Sequence, residues 1–240
     1  MTPRQAKILE YVILEYMETA QAVGSVAMAN KYGIKVSPAT IRNEMANLIN
    51  QGFLSKEHFS SGRIPTIVGF RYYIDNLLLE EKINYLVEME IKEKLHAARF
   101  QKEKILRSAV DSLSESLKYT AIALASESLY YSGISEILDY PEFEDIATLK
   151  NIMSVIENYE ILESIFEKGN QYEGGVKILM GEETGFNSFN ACSIAYTGFR
   201  FHRGEQGYLA VVGPFRMDYK KVLPYLKYTA EILEESTSGW

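Results

Sequence analysis

One stretch of the chain presents side chains that could read a nucleic acid by hydrogen bonds. Between residues 37 and 52, small and amide-bearing residues recur at helical spacing with a single cation among them. This row comprises Ala39, Arg42, Asn43, Ala46, Asn47 and Asn50. Arginine and asparagine form paired hydrogen bonds with base edges in the DNA major groove. A helix face that is merely solvated carries more Lys and Glu, so the spacing predicts a surface that reads bases.

A basic hairpin is predicted directly after this stretch. Residues 53–57 alternate apolar and polar, a Ser-Ser-Gly tip follows, and the chain returns through residues 63–65. Cationic and hydroxyl side chains are common phosphate ligands. The hairpin residues expected to contact DNA are Lys56, His58, Ser60, Ser61 and Arg63. For His58, an exposed position without a role is an equal alternative.

The elements that must position these residues carry clear start and stop signals. Ser37 followed by Pro38 predicts a helix start, because serine caps free N–H groups and proline needs no donor there. Ile41, Met45 and Leu48 form the opposite, apolar stripe of this helix. Gly52 is predicted to end it. The start of the helix also adds Ser37 and Thr40 to the expected DNA contacts.

Three further helices are predicted around the hairpin. The first opens at residues 2–3, and the second is short, capped by Ser25 and ended by Gly33. The last runs from residue 66 to about residue 79 and directs Arg71 and Tyr72 outward, which adds both to the expected DNA contacts. A capped helix followed at once by a basic hairpin is the helix-turn-helix plus wing arrangement.

Four blocks of sequence make the interpretation more specific. The segments VSPATIRNEMANL, SSGRIPT and GFRYYID resemble the DNA-binding domain of the heat-inducible transcription repressors, the HrcA family. Near the other end, VVGPFRMDYKKVLPYL resembles the C-terminal block of the same family. The resemblance implies a C-terminal domain with the GAF-type ligand-sensing fold. It also implies a central segment, an inserted subdomain of the family involved in dimer contacts, that is absent here.

The expected fold class is α+β in three parts. Residues 1–79 are predicted to form a winged helix-turn-helix domain, 80–119 a long helical connector, and 120–240 a GAF-like antiparallel sheet domain. The connector lacks Pro and Gly and is rich in Lys and Glu. It is predicted as one helix, or as two with a break near residues 96–100. Packing on a neighbour and a dimerising coiled coil both remain open for it.

The C-terminal part alternates short apolar runs with helical patterns. The predicted strands cover residues 120–125, 129–132, 176–180, 191–196 and 207–212, and the predicted helices cover 143–168 and 218–235. Because the inserted subdomain of the family is absent, we expect the chain to dimerise through the outer face of this domain and the helix at 218–235.

The segment GPFRMDY is the C-terminal motif that could bind something. Arg216 could pair with a carboxylate or bridge to a partner, and Asp218 is placed to cap the last helix. Both residues are therefore candidates for a ligand or interface contact. A purely structural role, as a strand-to-helix turn with a cap, is the stronger alternative.

The amino-acid composition limits which other kinds of function and site are possible. The net charge of −7 divides into +2 for residues 1–75 and −9 for the rest, so the predicted DNA-binding part is the basic one. The single cysteine, Cys192, excludes an intramolecular disulfide. The three histidines are far apart in sequence, and no Cys/His pair has the spacing of a metal site. We expect no cofactor, no metal and no membrane span.

These observations predict a cytoplasmic transcription repressor of heat-shock chaperone genes rather than an enzyme. It would bind double-stranded DNA as a homodimer on an inverted-repeat operator, and the family resemblance adds a chaperonin as a candidate partner. An alternative is a winged-helix regulator whose C-terminal domain senses a small molecule and controls other genes. A third hypothesis, an enzyme with a DNA-binding module, predicts clustered titratable residues in 120–240.

Overall fold

The computed structural model describes residues 1–34, 36–56, 62–169, 175–201 and 205–237, apart from the side chains of residues 168, 169 and 188. The chain divides into two compact units, unit 1 (Met1–Leu79) and unit 2 (Glu80–Trp240). The helices are α1 (Pro3–Thr19), α2 (Ser25–Tyr32), α3 (Pro38–Asn50), α4 (Ile67–Asn76), α5 (Tyr85–Ala98), α6 (Lys102–Leu117), α7 (Ile146–Ile156), α8 (Tyr159–Gly169) and α9 (Tyr219–Thr237). The strands are β1 (Leu54–Lys56), β2 (Arg63–Pro65), β3 (Thr120–Ala125), β4 (Ser128–Ser132), β5 (Lys177–Met180), β6 (Cys192–Arg200) and β7 (Gln206–Pro214). Short 3-10 helices lie at Ile134–Asp139, Pro141–Phe143, Gly181–Thr184 and Asn187–Phe189.

Unit 1 packs α2, α3 and α4 against the apolar side of α1. Ile8, Leu9, Val12 and Ile13 recur at helical spacing on α1 and are at most 1% exposed. The predicted cap of α2 was wrong. Gly24 occupies the N-cap position without a side-chain hydrogen bond, and Ser25 is the first helical residue, buried in the unit.

Unit 2 is built on a five-stranded sheet with the order β4-β3-β7-β6-β5, in which every neighbouring pair is antiparallel. The longest pairing joins β6 to β7, from Cys192 opposite Pro214 to Arg200 opposite Gln206. Every residue of β3 is buried, and so is nearly all of β6 and β7. Strands that read as continuous apolar runs are covered on both faces.

Different helices cover the two faces of this sheet. On one face, the side chains of Ile122, Tyr196 and Tyr208 join a core with the apolar sides of α7 and α8. On the other face, α6 contacts β3 and β4, and α9 contacts β6 and β7. Unit 2 is therefore a three-layer α+β structure with an antiparallel sheet in the middle.

Residues 80–119 form two helices rather than one. The chain breaks at residues 99–101, between α5 and α6, close to the break that the sequence left open. Lys94 of α5 binds both Glu90 at 2.8 Å and Glu115 of α6 at 2.7 Å. Both helices pack against α9 and belong to the same compact unit as the sheet.

The single helix predicted at 143–168 was wrong. The structure divides this segment into a 3-10 turn and two helices, α7 and α8. Asp145 caps α7, because its carboxylate accepts a hydrogen bond from the backbone N–H of Thr148 at 2.8 Å. Asn158 interrupts the helix, and its side-chain oxygen accepts from the N–H of Ile161 at 3.0 Å. Two short helices can each turn an apolar side to the sheet, which one straight helix could not do.

The outer side of α9 mixes charged and half-buried apolar residues. Among residues 219–237, every exposed position carries a charge, namely Lys221, Lys227, Glu231, Glu234 and Glu235. Between them lie four half-buried apolar residues, Leu223, Pro224, Tyr225 and Tyr228. Dimerisation through this helix therefore stays a prediction.

Candidate nucleic-acid interface

The predicted base-reading row lies on α3, and the local sequence explains the bounds of that helix. The Ser37 hydroxyl accepts a hydrogen bond from the backbone N–H of Thr40 at 3.2 Å, which caps the helix. The hydroxyls of the two residues lie 3.0 Å apart. Pro38 occupies the first turn, where no donor is needed. Gly52 then adopts a left-handed φ of 81° and leads the chain into the hairpin.

Burial of one side of α3 directs the predicted contacts outward. Ile41, Met45 and Leu48 are at most 2% exposed and pack where α3 meets α1 and α2. The exposed residues of the opposite side are Ala39, Arg42, Asn43, Ala46, Asn47 and Asn50. The side chains of Arg42 and Asn43 make no hydrogen bond or ion pair with any described residue, so both remain available to a ligand.

A carboxylate on the same helix is anchored to α1, beside this row. Glu44 accepts a hydrogen bond from Nε2 of Gln5 at 3.1 Å and lies 3.5 Å from the guanidinium of Arg4. Asn47 reaches the same carboxylate at 3.5 Å. Gln5 was not among the predicted site residues, although its spacing from Thr2 is that of a capping box, which the structure contains. Anchoring on α1 restrains the one negative charge of α3, which would otherwise repel phosphates.

The hairpin places two cations side by side. In the β1–β2 register, Lys56 lies directly opposite Arg63. Like charges at directly opposed positions destabilise a strand pair in water, so the arrangement favours an anion between or beside them. Lys56 is exposed, whereas Arg63 is half-buried, and its Nη1 donates to the carbonyl of Gly62 at 2.9 Å.

The base of the hairpin is anchored to the loop between α1 and α2. The backbones of Val23 and Arg63 exchange two hydrogen bonds of 2.9 Å, which extends the two-stranded sheet by one bridge. Gly62 passes so close to this loop that a Cβ there would lie 2.6 Å from the carbonyl carbon of Ala22. Only glycine fits at this position, which explains the glycine of the SSGRIPT block.

The helix α4 supplies the last two predicted contacts in the described residues. Thr66 caps it, because the hydroxyl accepts from the N–H of Gly69 at 3.1 Å. Arg71 and Tyr72 are both half-buried on this helix. The Tyr72 ring packs edge-on against Phe53, with the ring centroids 5.3 Å apart. His58, Ser60 and Ser61, the remaining predicted contacts, lie outside the described residues.

One further cation of unit 1 is engaged by carboxylates. The Lys31 ammonium lies 2.7 Å from Glu15 and 2.6 Å from Glu18. The hydrogen bond from Lys31, helped by one from Tyr32, holds the pKa of the Glu15 carboxyl below its ordinary value of 4.5. This cluster joins α1 to α2 and leaves Lys31 less available to DNA than Arg42 or Lys56.

The C-terminal motif forms a bracing cluster within unit 2. Arg216 binds Glu142 through two contacts, Nε to Oε1 at 2.5 Å and Nη2 to Oε2 at 3.1 Å. Its guanidinium lies 5.2 Å from the centre of the Tyr140 ring, which stacks on Tyr119. Burial raises the pKa of both tyrosine hydroxyls. The cluster ties the 3-10 turn before α7 to the turn before α9.

Asp218 lies at the start of α9. Its backbone N–H donates to the Tyr119 hydroxyl at 3.0 Å, and its carboxylate pairs with Lys221 at 3.2 Å. The next residue, Tyr219, is fully buried, and its hydroxyl lies 2.9 Å from Oγ of Ser193 and 2.8 Å from the carbonyl of Phe215. The described contacts of the motif thus lie within unit 2.

The described ranges contain neither a metal-binding cluster nor a membrane-spanning helix. No three His, Cys, Asp or Glu residues there lie close enough together to hold a metal ion. Among the helices that the structure describes, none combines the length and the apolar character needed to cross a bilayer.

The family model and the curated relatives that match this chain name the same family. The family model described as HrcA protein C terminal domain matches residues 70–223. The heat-inducible transcription repressor HrcA of Lysinibacillus sphaericus is 25% identical over an alignment that covers 94% of this chain and 95% of that protein. The repressor of the same name from Desulforudis audaxviator is 26% identical, with 94% of both chains covered. The alignments run over 328 and 325 residues, more than the 240 of this chain, so these relatives carry residues without a counterpart here.

The fold also recurs in a solved structure. The crystal structure of a hypothetical protein superposes on this chain with a TM-score of 0.79 at 16% identity. The match covers 100% of this chain and 99% of the other. At this identity the likeness shows the shared fold.

Proposed function

This chain belongs to the HrcA family, and from that premise we propose that it is a transcription repressor of heat-shock genes that binds double-stranded DNA through unit 1. The relatives that match along 94% of the chain are named heat-inducible transcription repressors. In this proposal unit 1 is a winged helix-turn-helix domain, with α3 as the recognition helix and the β1–β2 hairpin as the wing. The protein acts in the cytoplasm and performs no catalysis.

The outward side of α3 is the observation that carries the proposal. Arg42 and Asn43 are exposed near the start of the helix and bind no described residue. In helix-turn-helix proteins the N-terminal residues of the recognition helix contact base edges. Ala39 and Ala46 on the same side allow the helix backbone to approach the groove closely. These residues therefore suit direct contact with bases better than a purely solvated role.

The hairpin supports phosphate binding beside the groove. Lys56 and Arg63 form an opposed cationic pair, and a DNA phosphate would relieve their mutual repulsion. Arg71 on α4 is a further candidate for a phosphate contact beside this pair. Phosphate contacts of this kind set the register of a protein on DNA, while base contacts set the sequence.

Unit 2 is proposed to be GAF-like and to join two copies of the chain. A single module with a net charge of +2 binds DNA weakly at physiological salt. Two joined modules that engage an inverted repeat gain affinity because the second binding event is intramolecular. The operator is therefore an inverted repeat bound by a homodimer. A chaperonin remains a candidate partner on the family resemblance alone.

Footprinting tests the proposal directly. We expect the purified chain to protect an inverted repeat upstream of the chaperone genes of its own genome at concentrations that leave a scrambled duplex unprotected. Protection of both duplexes at the same concentration would contradict a sequence-specific repressor.

The wing is tested by the salt dependence of binding. Each phosphate contact contributes about one unit to the slope of log K against log salt. Lys56→Ala, Arg63→Ala and Arg71→Ala should each flatten that slope by about one unit and weaken binding to all sequences alike. Three unchanged slopes would remove the wing from the interface. Arg107→Ala, which removes an exposed arginine of unit 2, is the matched control.

A second candidate function follows from one buried atom of unit 2. The Tyr196 hydroxyl lies in the core between the sheet and α8 and has no hydrogen-bond partner among the described residues. Buried hydroxyls are normally hydrogen-bonded, so a bound small molecule could supply the partner. In that case the chain is a regulator that senses a metabolite. Thermal shift with a metabolite panel, repeated on Tyr196→Phe, tests it, because a ligand bound there loses its stabilising effect in the variant.

A further inference from the structure

We propose that the outward side of α5 is the surface through which two copies of this chain associate. The inference rests on the proposed function, which requires two DNA-binding units on one operator. It names the surface that joins them in a chain whose relatives carry residues without a counterpart here.

Large apolar side chains cluster on this side of α5. Tyr85 is 69% exposed, Leu86 74% and Met89 47%, and Phe100, just after the helix, is 75% exposed. At 100° per residue, Tyr85, Leu86 and Met89 fall on one side of α5. The opposite side carries Ile91, which is 1% exposed. The helix therefore has a buried apolar side and a second, uncovered one, which is unusual for a helix at the surface of a monomer.

The other surfaces of unit 2 expose fewer large apolar side chains that lie close together. The central strands are buried on both faces, and every exposed position among residues 219–237 is charged. The remaining exposed large apolar residues of unit 2 are scattered, since Tyr131 lies on β4, Leu138 in a 3-10 helix and Ile146 at the start of α7. Among the elements of unit 2 that the structure describes, α5 alone presents several of them on one side.

The area on this side suits a dimer of modest size. The four apolar side chains together expose on the order of 500 Å², since aromatic and other large side chains each bury about 150–250 Å² when fully covered. Neighbouring exposed residues of α5 extend this surface toward the roughly 800 Å² that each partner contributes to a standard interface. A pairing of two such surfaces would thus be large enough for association without being an extended obligate interface.

Charge supports a second copy of this chain as the occupant. Lys92 and Glu93 are adjacent on α5, both are exposed, and neither forms an ion pair with a described residue. Lys92 lies two turns after Tyr85 and Glu93 two turns after Leu86, so the pair continues the two edges of the apolar stripe. When two parallel copies of α5 meet across a two-fold axis, Lys92 of one copy lies against Glu93 of the other, and the reciprocal pair forms by symmetry.

Sedimentation equilibrium of the full chain without DNA tests the proposal. We expect a mass twice the 27.3 kDa of one chain. The double variant Leu86→Glu/Met89→Glu should raise the dissociation constant of the dimer at least about 100-fold, because it replaces central apolar contacts by carboxylates. Glutamate is a good helix former, so α5 should persist, which circular dichroism checks.

The matched control alters exposed apolar residues elsewhere in unit 2. Leu138→Glu/Ile146→Glu makes the same chemical change at positions that are 60% and 68% exposed, and it should leave the dimer intact. A dimer that survives Leu86→Glu/Met89→Glu, or a monomeric wild-type chain, overturns the proposal.

Charge reversal tests the pairing between copies. Lys92→Glu and Glu93→Lys should each weaken association by about tenfold or more, since each places like charges against each other. The double reversal should restore it. If the double reversal associates more weakly than either single variant, the reciprocal pairing is refuted.

The outcomes also separate this inference from the proposed function. A wild-type chain that is monomeric in sedimentation but protects a specific operator refutes the α5 surface and leaves the repressor function. A dimer that breaks at α5 but binds operator and scrambled DNA equally leaves the surface and refutes specific repression.

Discussion

Alanine substitution of Arg42 or Asn43 separates base reading from general adhesion to DNA. Both side chains are exposed on α3 and bind no described residue, and alanine is the best helix former. The substitutions therefore remove no contact within the described part of the chain. We expect the free energy of unfolding to change by no more than about 0.5 kcal/mol in either variant.

The expected loss on the operator follows from base-contact energetics. One good bidentate contact with a base contributes about 1–3 kcal/mol of discrimination. That corresponds to a rise in Kd of roughly 5- to 150-fold at 25 °C. Asn43 is neutral, so Asn43→Ala should leave binding to random DNA nearly unchanged. Arg42→Ala also removes a positive charge, and its effect on random DNA should stay small compared with its effect on the operator.

Fluorescence anisotropy on operator and scrambled duplexes of equal length, at one fixed salt concentration, measures both losses. Asn151→Ala and Arg107→Ala remove exposed side chains of the same types from unit 2, and neither should change the Kd of either duplex. If Arg42→Ala and Asn43→Ala each weaken binding to the two duplexes by the same factor, α3 does not read bases through these residues.

Two further predictions concern the stability of unit 1. Thr66→Ala removes the cap of α4 and the 2.6 Å hydrogen bond from the Thr66 hydroxyl to the carbonyl of Gly52, and should lower the free energy of unfolding by about 1–2 kcal/mol in urea titrations. Thr66→Ser should recover most of it, and equal losses in the two variants would contradict the capping role. The pKa of Glu15 is lower in the folded chain than its ordinary 4.5, so this carboxylate stabilises the fold above that pH and the stabilisation is lost as pH falls through the folded value. Lys31→Met should therefore lower the urea midpoint at pH 7, and the difference in midpoint from the wild type should shrink as the pH falls. A difference that stays constant from pH 7 to 3 would contradict a stabilising role of the Glu15 carboxylate.

Local signals in the sequence predicted much of the candidate site. Ser37 and Pro38 mark the start of α3, Gly52 follows its end, and the structure contains that cap and that left-handed turn. Backbone groups at a helix end must find partners within a few residues, so a cap can be recognised from its immediate neighbours. The side of α3 that faces solvent could be predicted for a similar reason, because helical periodicity alone separates its apolar stripe from the rest.

Tertiary structure decided which elements meet. Gln5 reaches Glu44 across 39 positions, and Arg216 reaches Glu142 across 74. Nothing in either local pattern identifies the partner, because periodicity shows that a side of an element is apolar or charged but not what covers it. For the same reason, the sequence did not show which apolar residues of unit 2 would remain exposed. Helices α5 and α9 both carry apolar residues, but the fold leaves none of those on α9 fully exposed, whereas Leu86 and its neighbours on α5 are exposed.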